Sequence, residues 1–300
     1  MIDFAGRTAF VTGGANGVGL GLVRALLAEG CRVAIADIRQ DHIERALKSL
    51  DNQMVMGVKV NVASREEMAT AADRVEAQFG PVTLLFNNAG VNLFQTVEDS
   101  SYSDWDWVMG VNLQGPINGC MTFVPRMIAH GQGGYIVNTA SMAAWLAAGS
   151  PGIYNTTKFA VRGLSESLRY SLAPKGIGVS VLCPGLVKSY IYASDDIRPA
   201  ELMAEAKPVD HAHVKQLADF HEFGMEGDVI AARVLDGMRE NRMYIFSHPE
   251  FRDELGALFE EYLADFRDYP ADAGHDKRTG FEAFRRQRYA EARAAARVAT

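Results

Sequence analysis

Five short β-branched runs, AFVTGG, RVAIAD, TLLFNNAG, GYIVNTAS and GVSVLCPG, each stop in small or polar residues and are separated by longer stretches of helical spacing. Apolar on both faces, such runs belong in a parallel sheet, because βαβ crossovers cover both of its faces with helices. The pattern predicts strands near 8–12, 32–36, 54–60, 82–86, 133–139, 177–183 and 243–246. Helices are expected near 18–29, 40–50, 64–79, 104–129, 152–173 and 226–240. In an open α/β sheet, ligands bind outside the carboxyl ends of the strands, so the five polar endings mark the rim of one site.

Composition narrows what that site handles. The 300 residues are 48% hydrophobic and 22% charged, which suits one sizeable core with an elaborated end. A net charge of -7 argues against a nucleic-acid partner, since phosphate backbones need a basic surface. No apolar segment approaches the ~20 residues a bilayer requires, and a strand-like run begins at Thr8, so neither a membrane nor a signal peptide is expected and the chain reads as cytoplasmic. Cys31, Cys120 and Cys183 are widely spaced and odd in number, which points to buried free thiols. His211, His213 and His221 lack acidic or cysteine partners at ligand spacing; no metal is expected, and the three read as a solvated face.

Residues 1–248 read as one domain. Within it, 188–225 is the least regular segment and follows a strand whose end lies at the expected site, so it reads as a substrate lid. Beyond it, 249–300 forms a helical extension, FRDELGALFEEYLADF and FEAFRRQRYAEARAAARVA, expected to pack on the same domain or on a neighbouring subunit. Alanines and glutamates interleave Arg285, Arg286, Arg288, Arg293 and Arg297, so the second helix reads as solvated or subunit-contacting.

The first strand runs into TGGANGVGLGLVRALLAEG. Glycines there let the backbone approach a pyrophosphate, and the following helix directs free N–H groups and its positive end at it. Gly13, Gly17 and Gly19 are spaced GxxxGxG instead of the GxGxxG fingerprint. Asp37 ends RVAIAD eighteen residues after Gly19, where a carboxylate accepts both adenosine ribose hydroxyls and repels a 2′-phosphate. That favours NAD over NADP; Arg39 softens the preference, while the uncharged Asn16 offers no cation.

In GIYNTTKFAVRG, Tyr154 and Lys158 stand one helical turn apart on the same side. An alcohol that loses a hydride must also lose its hydroxyl proton to a base within ~3 Å. Tyr154 is the candidate; lowering its pKa from ~10 to ~7 takes about 4 kcal/mol of phenolate stabilisation, to which Lys158 and an oxidised nicotinamide would contribute. Ser141 can orient the substrate oxygen. Pro116 has no N–H for the carbonyl of Asn112, so a kink is expected there, with that carbonyl binding a water that passes protons from Lys158.

With TGGANGVG, NNAG, Ser141, YNTTK and PG in order, residues 5–247 resemble the short-chain dehydrogenases/reductases. The resemblance implies a three-layer Rossmann fold with a seven-stranded parallel sheet, a nicotinamide cofactor, a homodimer or homotetramer, and catalytic Asn112, Ser141, Tyr154 and Lys158. It implies cofactor contacts from Gly13, Asn16, Gly17, Val18, Gly19, Asp37, Ile38, Asn61, Val62, Asn88, Ala89, Gly90, Pro184, Gly185, Val187 and Ser189, with Tyr154 and Lys158. Asn61 departs from the family's usual aspartate and Ser189 from its usual threonine, each keeping an oxygen able to hydrogen-bond.

Longer stretches, among them WDWVMGVNLQGPINGCMTFVPRMIAHG and RMYIFSHPEFRDEL, resemble the Cα-dehydrogenases of bacterial lignin-derived aryl ether breakdown. Their activity, NAD-dependent oxidation of a benzylic secondary alcohol to the ketone, is the expected function, with Phe94, Met142, Trp145, Leu186 and Tyr190 as substrate wall. A ketoreductase or a dehydrogenase of steroid-like or aliphatic alcohols would share this chemistry with a different pocket. A non-catalytic nucleotide-binding protein on the same fold is the remaining alternative.

Overall fold

The computed structural model describes residues 2–203, 205–207 and 210–298. Three of the 188–225 segment's residues, Ala204, Pro208 and Val209, and the last two residues of the 249–300 extension lie outside that description.

The first half of the domain comprises β1 (Thr8–Thr12), α1 (Gly17–Ala28), β2 (Arg32–Asp37), α2 (Gln40–Leu50), β3 (Val55–Lys59), α3 (Arg65–Phe79) and β4 (Val82–Asn87). Then come α4 (Tyr102–Met109), α5 (Gly115–His130), β5 (Gly134–Thr139), α6 (Gly152–Leu172) and β6 (Ile177–Cys183). The chain ends with α7 (His211–His221), α8 (Gly227–Arg239), β7 (Tyr244–Phe246), α9 (Arg252–Ala264) and α10 (His275–Val298). All seven strands pair in parallel in the order β3-β2-β1-β4-β5-β6-β7. The chain returns to the middle of the sheet at β4, so the carboxyl ends of β1 and β4 flank the point where the strand order reverses and a crevice opens.

Both faces are covered, as the apolar runs require. On one, Leu22, Val23 and Leu26 of α1 and Ile230, Val234 and Leu235 of α8 pack on Val11, Ile35 and Leu84. On the other, Met68 and Val75 of α3 and Phe123 and Met127 of α5 meet Phe10, Leu85 and Ile136. Two of the closest main-chain approaches lie in the first turn and along α1. A Cβ on Gly19 would fall 2.0 Å from the Gly13 carbonyl, and one on Gly21 2.4 Å from that of Gly227. All three cysteines are buried and unpaired.

Two departures from the expected elements matter for the site. The single helix anticipated at 104–129 is broken by a π-helical turn, Gly110–Gln114, in which the Gly115 N–H reaches the Gly110 carbonyl. Pro116, in the first turn of α5, offers the Asn112 carbonyl no donor, so the wide turn sits where the expected kink was placed. The second departure is α7 inside the 188–225 segment, a helix the mixed composition hid; Asp210 caps it by accepting from the Ala212 and His213 N–H groups.

The extension packs lightly. Ala296, near the end of α10, is buried, its carbonyl accepting from Arg169 (3.1 Å) and Asn241 (2.9 Å) of the domain body. Leu263, Phe266, Phe281 and Phe284 stay exposed. No described helix is long and apolar enough to cross a membrane.

Candidate active site

A cleft of about 1140 Å³ opens along the carboxyl ends of the strands. At its centre, β1, β4 and β5 are spliced together by side chains. The Thr12 hydroxyl accepts from the N–H groups of Asn88 (2.9 Å) and Ala89 (3.0 Å), while the Asn88 amide donates to the Thr12 carbonyl at 3.1 Å. Asn88, Ala89 and Gly90 are thereby held at the cleft wall.

On the β1–β2 side, α1 begins at the cleft with Asn16 as its cap, the side-chain oxygen accepting from the Gly17 N–H at 2.8 Å. No acidic residue stands in the first turn to oppose an anion at that helix end. Asp37 accepts from the Ala15 N–H (3.3 Å) and the Arg39 N–H (3.1 Å). Burial pushes its carboxyl up from its ordinary pKa, against the pull of those backbone bonds. Arg39 is engaged elsewhere: Nε and Nη2, one edge of its guanidinium, donate to the two carboxylate oxygens of Asp41 at 2.8 and 2.9 Å. Gly13, Gly17, Val18, Ile38, Asn61, Val62, Pro184, Gly185, Val187 and Ser189 line the same cleft.

Gly19 does not line it. Its place is behind the turn, against the Gly13 carbonyl, where only a hydrogen fits. The Asn61 amide oxygen accepts from the Ala63 N–H at 3.0 Å, so part of its capacity closes a local turn.

The Tyr and Lys of α6 come together with Ser141 as the spacing requires. Lys158, almost wholly buried, sits with Nζ 5.2 Å from the Tyr154 ring centre and donates to the Thr139 carbonyl at 3.0 Å. Ser141 and Tyr154 face the same cleft, the serine oxygen accepting from Ala143 N–H at 3.1 Å. Burial pushes Tyr154 up to about 12, a hydrogen bond with Ser141 acting against it. Burial also draws Lys158 down to about 8. The surrounding protein thus favours the neutral phenol, opposite to the lowering the base role demands.

Asn112 is fully buried and does not line the cleft. Its side chain clamps Val91, accepting from the N–H and donating to the carbonyl, both at 2.8 Å, and donates to Thr157 at 3.3 Å. A Cβ on Gly90 would lie 3.4 Å from its Oδ1 and 3.6 Å from Lys158 Nζ, so Asn112 and Lys158 flank one spot.

Among the expected substrate residues, Phe94, Leu186 and Tyr190 line the cleft. Met142 and Trp145 do not. They belong to an inner cluster with Val161 and Val181, and the Trp145 indole donates to Cys183 Sγ at 3.4 Å and stacks beneath Arg162. Their position after a strand end mimicked a wall, but the short 3-10 turn Met142–Ala144 rotates them into the core.

Several contributors were missed. His248 holds the floor of the cleft: Nδ1 accepts from Gly185 N–H at 2.9 Å and Nε2 donates to the Leu186 carbonyl at 3.0 Å. Its signal was available, a histidine just past the last strand at the same rim. Arg198 and Asp104 form an ion pair with both side chains 2% exposed, joining the 188–225 segment to α4. Ninety-four residues separate the two, and no local pattern announces the pair.

The family model for short chain dehydrogenase matches residues 7–198, nearly two thirds of the chain. The chain belongs to the short-chain dehydrogenase family. It is 38% identical over 266 residues, 88% of this chain and 87% of the relative, to a C alpha-dehydrogenase of a Sphingobium species. A solved structure described as a short-chain dehydrogenase, from Novosphingobium aromaticivorans, is 58% identical and superimposes with a TM-score of 0.87 over 99% of this chain and all of that one. A short-chain dehydrogenase/reductase from Burkholderia phymatum, solved in complex with NAD, is 33% identical with a TM-score of 0.84, covering 91% of this chain and all of that one. Membership of this family makes the chain an oxidoreductase, and its seven-stranded sheet is the one the sequence led us to expect.

Proposed function

We propose that the chain is an NAD-dependent dehydrogenase that oxidises a hydrophobic, benzylic secondary alcohol to the ketone. The observation that carries this reading is the junction of two half-sites in one cleft: the glycine turn with Asp37 at one end, and Ser141, Tyr154 and Lys158 at the other.

The residues present fit an adenine dinucleotide. The α1 N-terminus, free of acidic side chains, suits a pyrophosphate; Asp37 suits a ribose diol; Asn61, Val62 and Asn88–Gly90 line the adenosine side. Asp37 repels a 2′-phosphate, and the paired Asp41 offsets the charge of Arg39, which supports a preference for NAD. A bound nicotinamide would supply the hydride acceptor and, when oxidised, a positive charge.

The chain's own residues manage the proton. Ionising Tyr154 near pH 7 from a pKa of about 12 takes ~7 kcal/mol. A cation 5.2 Å from the ring centre contributes on the order of 3 kcal/mol at an effective dielectric of ~20, so Lys158 meets part of that requirement. Ser141, hydrogen-bonding the alcohol oxygen as it gains charge, orients it toward the phenolate. The proton then leaves by way of Lys158 toward Asn112, whose carbonyl Pro116 leaves without an i+4 donor. Phe94, Leu186 and Tyr190 make the alcohol end apolar and aromatic, which supports a bulky aryl substrate.

The test follows absorbance of the reduced nicotinamide while 1-phenylethanol, steroidal and aliphatic secondary alcohols are offered with NAD or NADP. We expect NAD-linked turnover of the benzylic alcohol, and Tyr154→Phe to lower kcat by about 10²–10⁴-fold with cofactor affinity retained. Turnover that survives Tyr154→Phe would refute the acid–base assignment; inactivity on every aromatic alcohol would discard the substrate class.

A further inference from the structure

Two histidines grip the segment Gly185–Val187 at the cleft floor, and they differ in one respect. His248 uses both ring nitrogens on that segment, Nδ1 on the Gly185 N–H and Nε2 on the Leu186 carbonyl. His221, at the end of α7, uses one: Nδ1 lies 2.8 Å from the Val187 carbonyl. A carbonyl only accepts, so this bond fixes the proton on Nδ1 and leaves the Nε2 of the neutral ring a lone-pair acceptor. Nε2 has no hydrogen-bond partner among the described residues and stays within reach of solvent, on a residue that lines the cleft.

The ring stands among aromatics. Tyr192 packs against it with centres 5.4 Å apart, Phe94 meets it edge-on at 6.4 Å, and Tyr190 lies 6.0 Å beyond Tyr192. Phe94 and Tyr190 line the cleft with Ser141 and Tyr154. The wall that lines this end of the cleft therefore carries one ring acceptor with its tautomer fixed and no protein partner. Pinning of the lid does not account for this, because Nδ1 already makes that bond and the neighbouring main chain is tied independently, Met225 N–H to Leu186 O at 2.9 Å and Lys188 N–H to Met225 O at 3.1 Å.

We propose that His221 is a specificity-determining residue whose Nε2 accepts a hydrogen bond from a second hydroxyl on the substrate, remote from the alcohol that is oxidised. The proposal rests on the aromatic-alcohol reading of the cleft, and it names the class more narrowly: an aryl carbinol bearing a distal hydroxyl. An acceptor that a bound substrate cuts off from water discriminates against analogues lacking the donor, because it is then left unpaired.

The test measures binding by calorimetry, so that it does not depend on turnover. The intact protein, saturated with reduced nicotinamide dinucleotide, is titrated with 4-hydroxyacetophenone, with 4-(hydroxymethyl)acetophenone and with 4-methoxyacetophenone. A donor hydroxyl should bind at least tenfold more tightly than the methyl ether, and whichever of the first two is tighter tells a phenolic from an aliphatic hydroxyl. In His221→Phe the ratio should collapse to within threefold, and His221→Gln, which keeps a donor and an acceptor, should restore part of it. Equal affinities in the unaltered protein, or a preference that survives His221→Phe, would overturn the proposal and leave His221 as a pin for Val187. Inactivity on every aromatic alcohol would instead discard the aromatic substrate class, and the binding ratio would still judge His221.

Discussion

The two ends of the cleft are held by different forces. At the nucleotide end the walls are main chain: strand ends of one parallel sheet, a turn in which Gly19 leaves no room for a Cβ, and the Thr12–Asn88 splice. At the alcohol end the walls come from the segment after β6, whose order depends on a few long-range side-chain contacts. Arg198 pairs with Asp104, the Ser194 hydroxyl accepts from Asn92 N–H at 3.0 Å, and His221 holds Val187. On the proposed function, the difference teaches that binding the cofactor and choosing the alcohol are separable. One is built into the sheet, and the other hangs on individual side chains.

The sharpest way to break that comparison is Asp104→Ala. It leaves the Arg198 guanidinium, already buried over Trp107, with Asp195 at 3.6 Å as its carboxylate and with neutral acceptors in the Leu202 carbonyl (2.9 Å) and the Ser103 hydroxyl (3.4 Å). Removing one partner of such a pair costs ~3–5 kcal/mol. We expect faster amide exchange over 190–202 and a raised KM for the alcohol, with cofactor affinity unchanged; a comparable loss of cofactor binding would show that the two ends are coupled. The pH sign follows from the same pair. Burial raises the Asp104 carboxyl, but hydrogen bonds from Ser101, Arg198 and Gln95 outweigh it and hold the pKa below its ordinary value. The docking energy is therefore present above that ordinary value and is lost as pH falls through the folded one.

The converse perturbation is Asp37→Ala at the nucleotide end. Hydrogen bonds to a charged group are worth ~1.5–3 kcal/mol, so NAD should bind about 10–100-fold more weakly and discrimination against NADP should fall. Exchange over 190–202 should not change. Cofactor titration with both dinucleotides decides it, and retained NAD preference would remove Asp37 from the selectivity argument.

How much of this was legible in the sequence follows the same division. Strand runs, the glycine turn, Asp37 and the Tyr154–Lys158 pair were readable because each rests on local spacing: a period of two, a positive φ at Gly13 and Gly17, one turn of helix. The kink at Asn112 was readable too, since Pro116 lacks the donor, although its π-helical form was not. The alcohol end was not. Met142 and Trp145 follow a strand end as wall residues do, yet a short 3-10 turn buries them beside Cys183. Arg198, Asp104, His248 and the acceptor face of His221 acquire meaning only from neighbours brought close by the fold.

Where the two ends meet, Lys158 gives a smaller effect with a distinctive pH signature. Burial lowers its pKa from 10.5 to about 8, so between those values the unfolded chain binds more protons and stability rises with pH; below pH 8 the full penalty applies. Lys158→Met removes a penalty of about 3 kcal/mol but orphans the Thr139 carbonyl. We expect the inactive variant to be more stable than the parent by roughly 1–3 kcal/mol at pH 7.5, the gap closing toward pH 10.5, as read from urea midpoints. A gap that does not narrow with pH would mean that the lysine is not held partly neutral by burial.

The smallest expected effect sharpens the boundary itself. Ser189 stands near the start of the 188–225 segment but against the glycine turn, 3.3 Å from where a Cβ on Gly17 would lie, and it lines the cleft beside Tyr190. Its hydroxyl could serve either end, and the two assignments move different constants. If it holds the cofactor, Ser189→Ala removes one neutral hydrogen bond, ~0.5–1.5 kcal/mol, and weakens cofactor binding about two- to tenfold while the ranking of alcohols stays fixed. If it belongs to the alcohol wall, cofactor affinity holds and the ranking shifts. We expect the first outcome, because Ser189 meets the turn through direct packing, whereas the long-range contacts of the 188–225 segment start further on, at Ser194 and Arg198. Ser189→Thr, which keeps the hydroxyl, should restore the cofactor constant; a threonine that fails to do so would place Ser189 on the alcohol side.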